Sequence, residues 1–255
     1  TVLDTLGCTA FLTSEGKENS STFAIEDFIS DGIIQMEQIP GEQRLMRYLN
    51  VLKMRGVEYT SGQVVFEINS KGITIFPKIS VNRELAKTNF EKRVSTGIVG
   101  LDKMIGGGFP EGHIILLTGN TGSGKTTMGM EFLSEGLKND ETCVFVNLEE
   151  PLEQVKKTAE AHGWDFEKYE ENGLLRFISP DLIDTYPDKF LYEILNTIDE
   201  TNATRLFFDS VSSLPSAGMS QDKLRETLLQ LNSALKRRGV TTAMTFLASN
   251  MFSAV

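Results

Sequence analysis

The chain has 255 residues, 40% of them hydrophobic, enough for one large domain or two small ones. Its formal net charge of −10 argues against strong nonspecific binding to DNA, although a local basic patch remains compatible with it. No apolar run reaches membrane-span length and no secretory leader is visible, so a cytoplasmic protein is expected.

Residues 1–80 are rich in strand signals. Cys8–Thr13 reads as a buried strand, Ser20-Ser21-Thr22 as a polar turn, and Ile25–Ile29 as a short helix. Gly32–Ile39 alternates partly, as a half-buried strand does, and Arg44–Met54, Gln63–Ile68 and Ile73–Phe76 follow. Ser61-Gly62 and Lys71-Gly72 sit between these runs as turns, so the portion predicts an antiparallel meander. Lys53 and Arg55, two apart on one strand, share a face and read by themselves as ordinary surface cations. Residues 81–95 carry several charges and few large apolar groups, and read as a linker. Cys8 and Cys143 lie in apolar, strand-like runs and read as buried free thiols rather than zinc or redox ligands.

From Gly97 the rhythm changes. Strands at Ile114–Thr118, Thr142–Leu148, Leu174–Ile178, Arg205–Asp209 and Val240–Phe246 alternate with helices near Lys125–Lys138, Leu152–His162, Lys189–Asp199 and Gln221–Arg238. Such alternation predicts an α/β fold with a parallel sheet and crossover helices. His113 and His162, at element ends, read as structural. Trp164, Phe166 and Tyr169 read as a packing cluster, and Lys236-Arg237-Arg238 as cations suited to a helix C-terminus.

Between the first of these strands and the first of these helices lies Gly119-Asn120-Thr121-Gly122-Ser123-Gly124-Lys125-Thr126, a complete G-x-x-x-x-G-K-T loop. Strand, glycine loop and helix turn backbone N–H groups toward a phosphate chain, and glycine lets the backbone curl and approach closely. Lys125 reaches terminal phosphates and the Thr126 hydroxyl ligates Mg²⁺; the candidate nucleotide-binding set runs on through Thr127. Asp209 ends an apolar strand and suits the Mg²⁺ shell near Thr126, though a strand-end Asp also serves as a cap or turn former. Glu149 and Glu150 end another strand, where α/β sheets gather ligands. Either acid can polarise a water toward a γ-phosphate; Glu149 is preferred as the base and Glu150 is the close alternative.

Ser95-Thr96-Gly97-Ile98-Val99-Gly100-Leu101-Asp102 and Gly106-Gly107-Gly108-Phe109-Pro110-Glu111-Gly112, followed by the loop, Glu149-Glu150-Pro151 and Asp209, resemble the opening of the KaiC/RadA branch of RecA-like ATPases. Asp31-Gly32-Ile33-Ile34, Gly41-Glu42-Gln43-Arg44 and Leu52-Lys53-Met54-Arg55-Gly56 resemble the later part of a KaiC domain, and the Lys53–Gly56 block points to KaiC rather than RadA. The resemblance implies a RecA-like P-loop fold that binds Mg–ATP and hydrolyses it slowly in a hexameric ring, with regulatory protein partners. It also implies that Lys53 and Arg55 reach the nucleotide of a neighbouring subunit. A DNA-repair ATPase of the RadA/RecA type and a nucleotide-gated assembly module with little hydrolysis are the rival readings.

The order of the parts departs from the family, because the Lys53–Gly56 block precedes the loop instead of following it. In addition, Leu235–Thr241 resembles Leu3–Thr9. Residues 1–80 are therefore expected to be the end of one KaiC-like domain, 81–95 a linker and 96–255 the start of the next, within a longer protein. The two pieces can alternatively pack as one permuted domain, with Cys8–Thr13 and Val240–Phe246 competing for one slot. The family includes an autokinase domain; aligned on Ser30-Asp31, its phosphoacceptor pair falls on Asp27 and Phe28, neither of which accepts phosphate. Autokinase activity is thus left to the parent protein.

Overall fold

A computed structural model of the chain describes residues 7–14, 29–40, 45–70, 72–79, 89–180, 186–217 and 220–248. The first sheet is a meander of β1 (Gly32–Pro40), β2 (Leu45–Met54), β3 (Val64–Asn69) and β4 (Gly72–Phe76), in that order and antiparallel throughout. Then come β5 (Asn89–Val94), α1 (Val99–Met104), β6 (Phe109–Glu111), β7 (Ile114–Gly119), α2 (Lys125–Lys138), β8 (Cys143–Asn147), α3 (Leu152–Ala161), α4 (Phe166–Glu171) and β9 (Leu175–Ile178). The described chain closes with α5 (Pro187–Thr201), β10 (Arg205–Asp209), a 3-10 turn (Val211–Ala217), α6 (Gln221–Arg238) and β11 (Thr241–Leu247).

The second sheet is five-stranded and parallel, in the order β7-β11-β10-β8-β9. Its central strands β8 and β10 are buried at every position. Both of their faces are covered, which is why their sequences read as continuous apolar runs. On one face Val144, Val146, Leu206 and Phe208 meet Phe190 and Ile194 of α5 and Leu231 and Leu235 of α6. On the other, Phe145, Phe207 and Ala243 meet Met130, Leu133 and Leu137 of α2 and Val155 of α3. The expected bounds of α2, α6 and β10 are those observed. Helix α5 starts two residues before its expected first residue, with Pro187 in its first turn, where a missing N–H costs nothing.

The meander rests on α5. Phe76, buried, meets Tyr186 and Tyr192 edge-on at 5.6 and 5.4 Å, and Lys189 pairs with Glu67 at 3.0 Å. Val65 pairs with Phe76 and so lies on the same face. The opposite face carries Ile34, Met36, Ile68 and Ile73, all exposed.

Four expectations are corrected. Residues 7–14 contain no strand, and Cys8, Phe11 and Leu12 are exposed. The slot between β7 and β10 is filled by β11, which bonds to both, so the Cys8–Thr13 run has no edge to join there. The later part of the expected linker is strand β5, paired antiparallel with β6 through Val94–Phe109 and a Lys92–Glu111 ion pair. β2 ends at Met54, so Arg55 falls in the following turn and does not share a strand face with Lys53. Helices α1 and α4, strand β6 and the 3-10 turn were not anticipated. Residues 20–22, most of the expected 25–29 helix, and the positions Asp27 and Phe28 lie outside the described residues.

Candidate nucleotide-binding site

The glycine loop leaves the end of β7 and enters α2. A Cβ at Gly119 would stand 2.6 Å from Ser123 Oγ, so the loop folds closely on itself and Ser123 would have to turn aside for a larger residue there. Gly122 and Gly124 take φ of 78° and 86°, the left-handed region, and Gly124 caps α2 without a side-chain acceptor. The first N–H groups of a fourteen-residue helix are therefore turned toward the hollow of the loop. Lys125 folds back over that hollow, its Nζ donating to Gly119 O at 3.0 Å and Asn120 O at 2.9 Å. Thr121, Gly122, Ser123 and Thr127 are exposed along the rim.

Helix α2 reaches the sheet because it has no side chain at two places a double turn apart. Gly129 lies on the Phe207 ring and Gly136 on the Arg205 side chain. This close approach sets Thr126 beside β10: its Oγ1 donates to Asp209 Oδ2 at 2.7 Å. Thr245 of β11 donates to Asp209 Oδ1 from the other side. Burial raises the Asp209 pKa above the ordinary carboxylate value and the nearby Glu149 charge adds to it, against the two threonine hydrogen bonds and the Lys125 charge.

Glu149 stands on the shoulder of the same site. Ser210 Oγ donates to its Oε1, and Ser213 Oγ donates to the same oxygen at 3.2 Å. Glu150 is held by its backbone instead: its carbonyl accepts from Asn147 Nδ2 at 2.6 Å. The structure thus gathers Lys125, Thr126, Asp209 and Glu149. Lys53 and Arg55 are engaged by the segment that leads into β1, Lys53 donating to Ser30 O at 2.7 Å and Arg55 pairing with Asp31 at 3.1 Å.

Thr126 and Asp209 offer only hard oxygen donors, and among the described residues no group of three or more His, Cys, Asp or Glu side chains gathers as a metal cage. That donor set fits Mg²⁺, which takes one or two protein oxygens and completes its shell with water and phosphate. A hydroxyl can donate to Asp209 and still present lone pairs to an ion.

Several supporting residues escaped sequence reasoning. Arg205, almost fully buried, forks onto Glu141 at 2.8 Å through Nε and NH2 and donates to Ser95 O and Phe132 O. Asp102 accepts from Ser95 Oγ, Thr96 N and Thr96 Oγ1 at 2.7–3.0 Å, binding the strap that Arg205 anchors. The signals existed: a cation opening an otherwise apolar strand, a threonine inside apolar β11, and Ser210, Ser212 and Ser213 clustered after Asp209. Each needs a distant partner to be interpretable.

A G-x-x-x-x-G-K-T loop joined to a strand-end carboxylate on a parallel sheet places the chain among the P-loop α/β proteins. The family model described as "ATPase: KaiC" matches residues 1–80 and 94–252, and the chain belongs to that family. It is 32% identical over 247 residues to the circadian clock oscillator protein KaiC of Acaryochloris marina, covering 94% of this chain and 46% of that protein. It is 31% identical over 250 residues to the circadian clock protein KaiC3 of a Synechocystis species, covering 96% and 49%. It is 33% identical over 261 residues to KaiC of Thermostichus vulcanus, covering 97% and 49%. The chain spans about half the length of the curated relatives it matches. No helix among the described residues is long and apolar enough to cross a membrane.

Proposed function

We propose that the chain binds Mg–ATP in the loop Gly119–Thr126, with Thr127 at its rim, and hydrolyses it. One observation carries the reading: Thr126 and Asp209, 83 positions apart, meet at 2.7 Å beside Lys125. Amide groups at the start of α2 and the Lys125 ammonium grip the phosphates. A magnesium ion held by Thr126 and Asp209 would neutralise phosphate charge. Glu149 takes a proton from water as the water oxygen bonds to the γ-phosphorus; the bond to the β–γ bridging oxygen breaks and ADP leaves with its electron pair. Glu149 is preferred to Glu150 because its carboxylate, and not only its backbone, is held beside Asp209.

The test is isothermal titration with ATP plus magnesium, paired with phosphate release. Lys125→Ala is expected to abolish binding, Glu149→Gln to bind without turnover, and Glu150→Gln to turn over. DNA is expected to leave the rate unchanged, as suits the KaiC family rather than a DNA-repair motor. A folded chain with no magnesium-dependent ATP affinity refutes the reading.

Assembly belongs to the same proposal. The chain works in the cytoplasm as part of a ring, hexameric by the family resemblance, where Lys53 and Arg55 serve a neighbour's nucleotide and regulatory proteins dock. Residues 1–80 end one KaiC-like domain and 96–255 begin the next, or the two pack as one permuted domain; the family model matches in two stretches, 1–80 and 94–252.

A further inference from the structure

Resting on the hydrolytic reading of this site, we infer that Ser210 and Ser213 are positioning residues that fix the carboxylate of Glu149 by converging on one of its two oxygens. Glu149 needs such help. It lies exposed in the segment after β8, on a side chain with several free torsions, and holding it in one place costs rotamer entropy. Left to itself, the carboxylate samples solvent as readily as the place where a base is useful, and so drifts.

The two hydroxyls oppose that drift. Ser210 Oγ and Ser213 Oγ both donate to Glu149 Oε1, and they lie 3.4 Å from each other. Among the described residues no hydrogen bond is made to Oε2. One oxygen is thus the handle and the other is left to meet a water.

The clamp stands on fixed ground. Ser210 is buried and follows Asp209, whose carbonyl accepts from Leu148 N at 2.6 Å across the β8–β10 seam. Ser213 rides the 3-10 turn, which Ser212 ties to the end of β11 by accepting from Leu247 N at 2.6 Å. Glu149 is therefore registered against three adjacent strands. The side chain of Glu150 shares no such clamp with the two serines.

The experiment measures ATP turnover, KM and Mg–ATP affinity for the 255-residue chain bearing Ser210→Ala, Ser213→Ala, both together, and each of these in a Glu149→Gln background. Each single substitution is expected to lower kcat about ten-fold and the pair further, with KM and affinity unchanged. Ser213→Thr, which keeps the hydroxyl, restores the rate. In the Glu149→Gln background, where turnover is already absent, the serine substitutions leave Mg–ATP affinity and melting temperature unchanged. A merely structural role gives a different pattern: affinity falls with rate, melting temperature drops, and the losses of affinity and melting temperature persist in the Glu149→Gln background. Either that pattern, or full activity in the doubly substituted chain, overturns the clamp while leaving ATP hydrolysis standing. Absence of turnover in the unsubstituted chain overturns the hydrolytic reading and the clamp with it.

Discussion

Gly129→Ala tests how the site is built. In an exposed helix interior this change is stabilising by about 1 kcal/mol, because alanine loses less backbone freedom. Here the sign should reverse. A methyl carbon at 129 would stand 2.0 Å from Cε2 and 2.1 Å from Cζ of Phe207, whereas carbon contacts settle at about 3.5–4.0 Å. Phe207 is fully buried, its ring 4.8 Å from that of Phe145, so it has nowhere to retreat. Either α2 lifts from β10 or the ring adopts a strained rotamer, and overpacking of this kind costs about 1–3 kcal/mol, with so short a contact at the upper end. Set against the helix gain, the net loss is about 2 kcal/mol, or about 4–8 °C in Tm for a chain of this size.

Lifting α2 has a second consequence. Thr126 sits one turn before Gly129, and its 2.7 Å hydrogen bond to Asp209 does not survive an ångström of separation. Mg–ATP affinity should fall together with stability. Gly100→Ala is the control: Gly100 lies in α1 with nothing within 4 Å of an added Cβ, so stability should hold or rise by up to about 1 kcal/mol. Urea unfolding of both variants decides it through the midpoints at unchanged m. If Gly129→Ala is as stable as Gly100→Ala and binds ATP normally, the close packing of α2 on β10 does not set the site.

Asp209→Asn removes a buried charge that burial and Glu149 both disfavour, so the ligand-free protein should melt higher while magnesium-dependent ATP affinity is lost; calorimetry with and without Mg–ATP checks both halves. Glu141→Gln leaves the buried Arg205 cation without its ionic partner and should cost about 2 kcal/mol, below the full price of a buried pair because Glu141 is partly exposed. Burial alone would raise the Glu141 pKa, but the hydrogen bonds and charge of Arg205, aided by Thr204, hold it below the ordinary value. At Asp102, burial is likewise outweighed, there by Thr96, Ser95 and the Arg205 charge. Depressed carboxylates stabilise fully above their unfolded values, 4.5 and 3.8, and that contribution disappears as pH falls through the lower folded values. Acid titration of Tm should therefore be shallower for Glu141→Gln than for the unsubstituted chain. Phe76→Ala should cost about 3 kcal/mol at the seam between the meander and α5, and limited proteolysis should then cut ahead of β5 and leave the parallel-sheet portion intact.

What was legible in the sequence was local or wholly buried. Strand β10 is apolar from Leu206 to Phe208 and stops at Asp209, while α2 opens on Gly124-Lys125; such signals lie within a few residues of one another. The G-x-x-x-x-G-K-T spacing announced the loop for the same reason. Helices α1 and α4, six residues each, are too short for a 3.6-residue period to declare itself. Strand β5 is charged and exposed, and becomes a strand only through β6, so composition alone made it a linker. Cys8–Thr13 failed in the opposite direction. It has the look of a buried strand, but membership of a sheet depends on a free neighbour, and β11 already has both. Periodicity reads what a segment can do, not which place is open to it.

The same non-locality explains why the polar residues around Asp209 were harder to read than the apolar ones around Phe207. Strand β11 separates the strand that bears the loop from the strand that bears the carboxylate. Were β7 and β10 direct neighbours, Thr245 would have no route to Asp209. With β11 between them, Thr126 and Thr245 approach the carboxylate on its two different oxygens, one from the helix and one from the sheet. A buried carboxylate without donors would carry the full desolvation cost, or take up a proton and lose its attraction for a cation. Two hydroxyls soften that cost while keeping only hard oxygen at the site, and both retain lone pairs. The interposed strand is thus as much a part of the candidate nucleotide site as the glycine loop, although nothing in its own seven residues names a ligand.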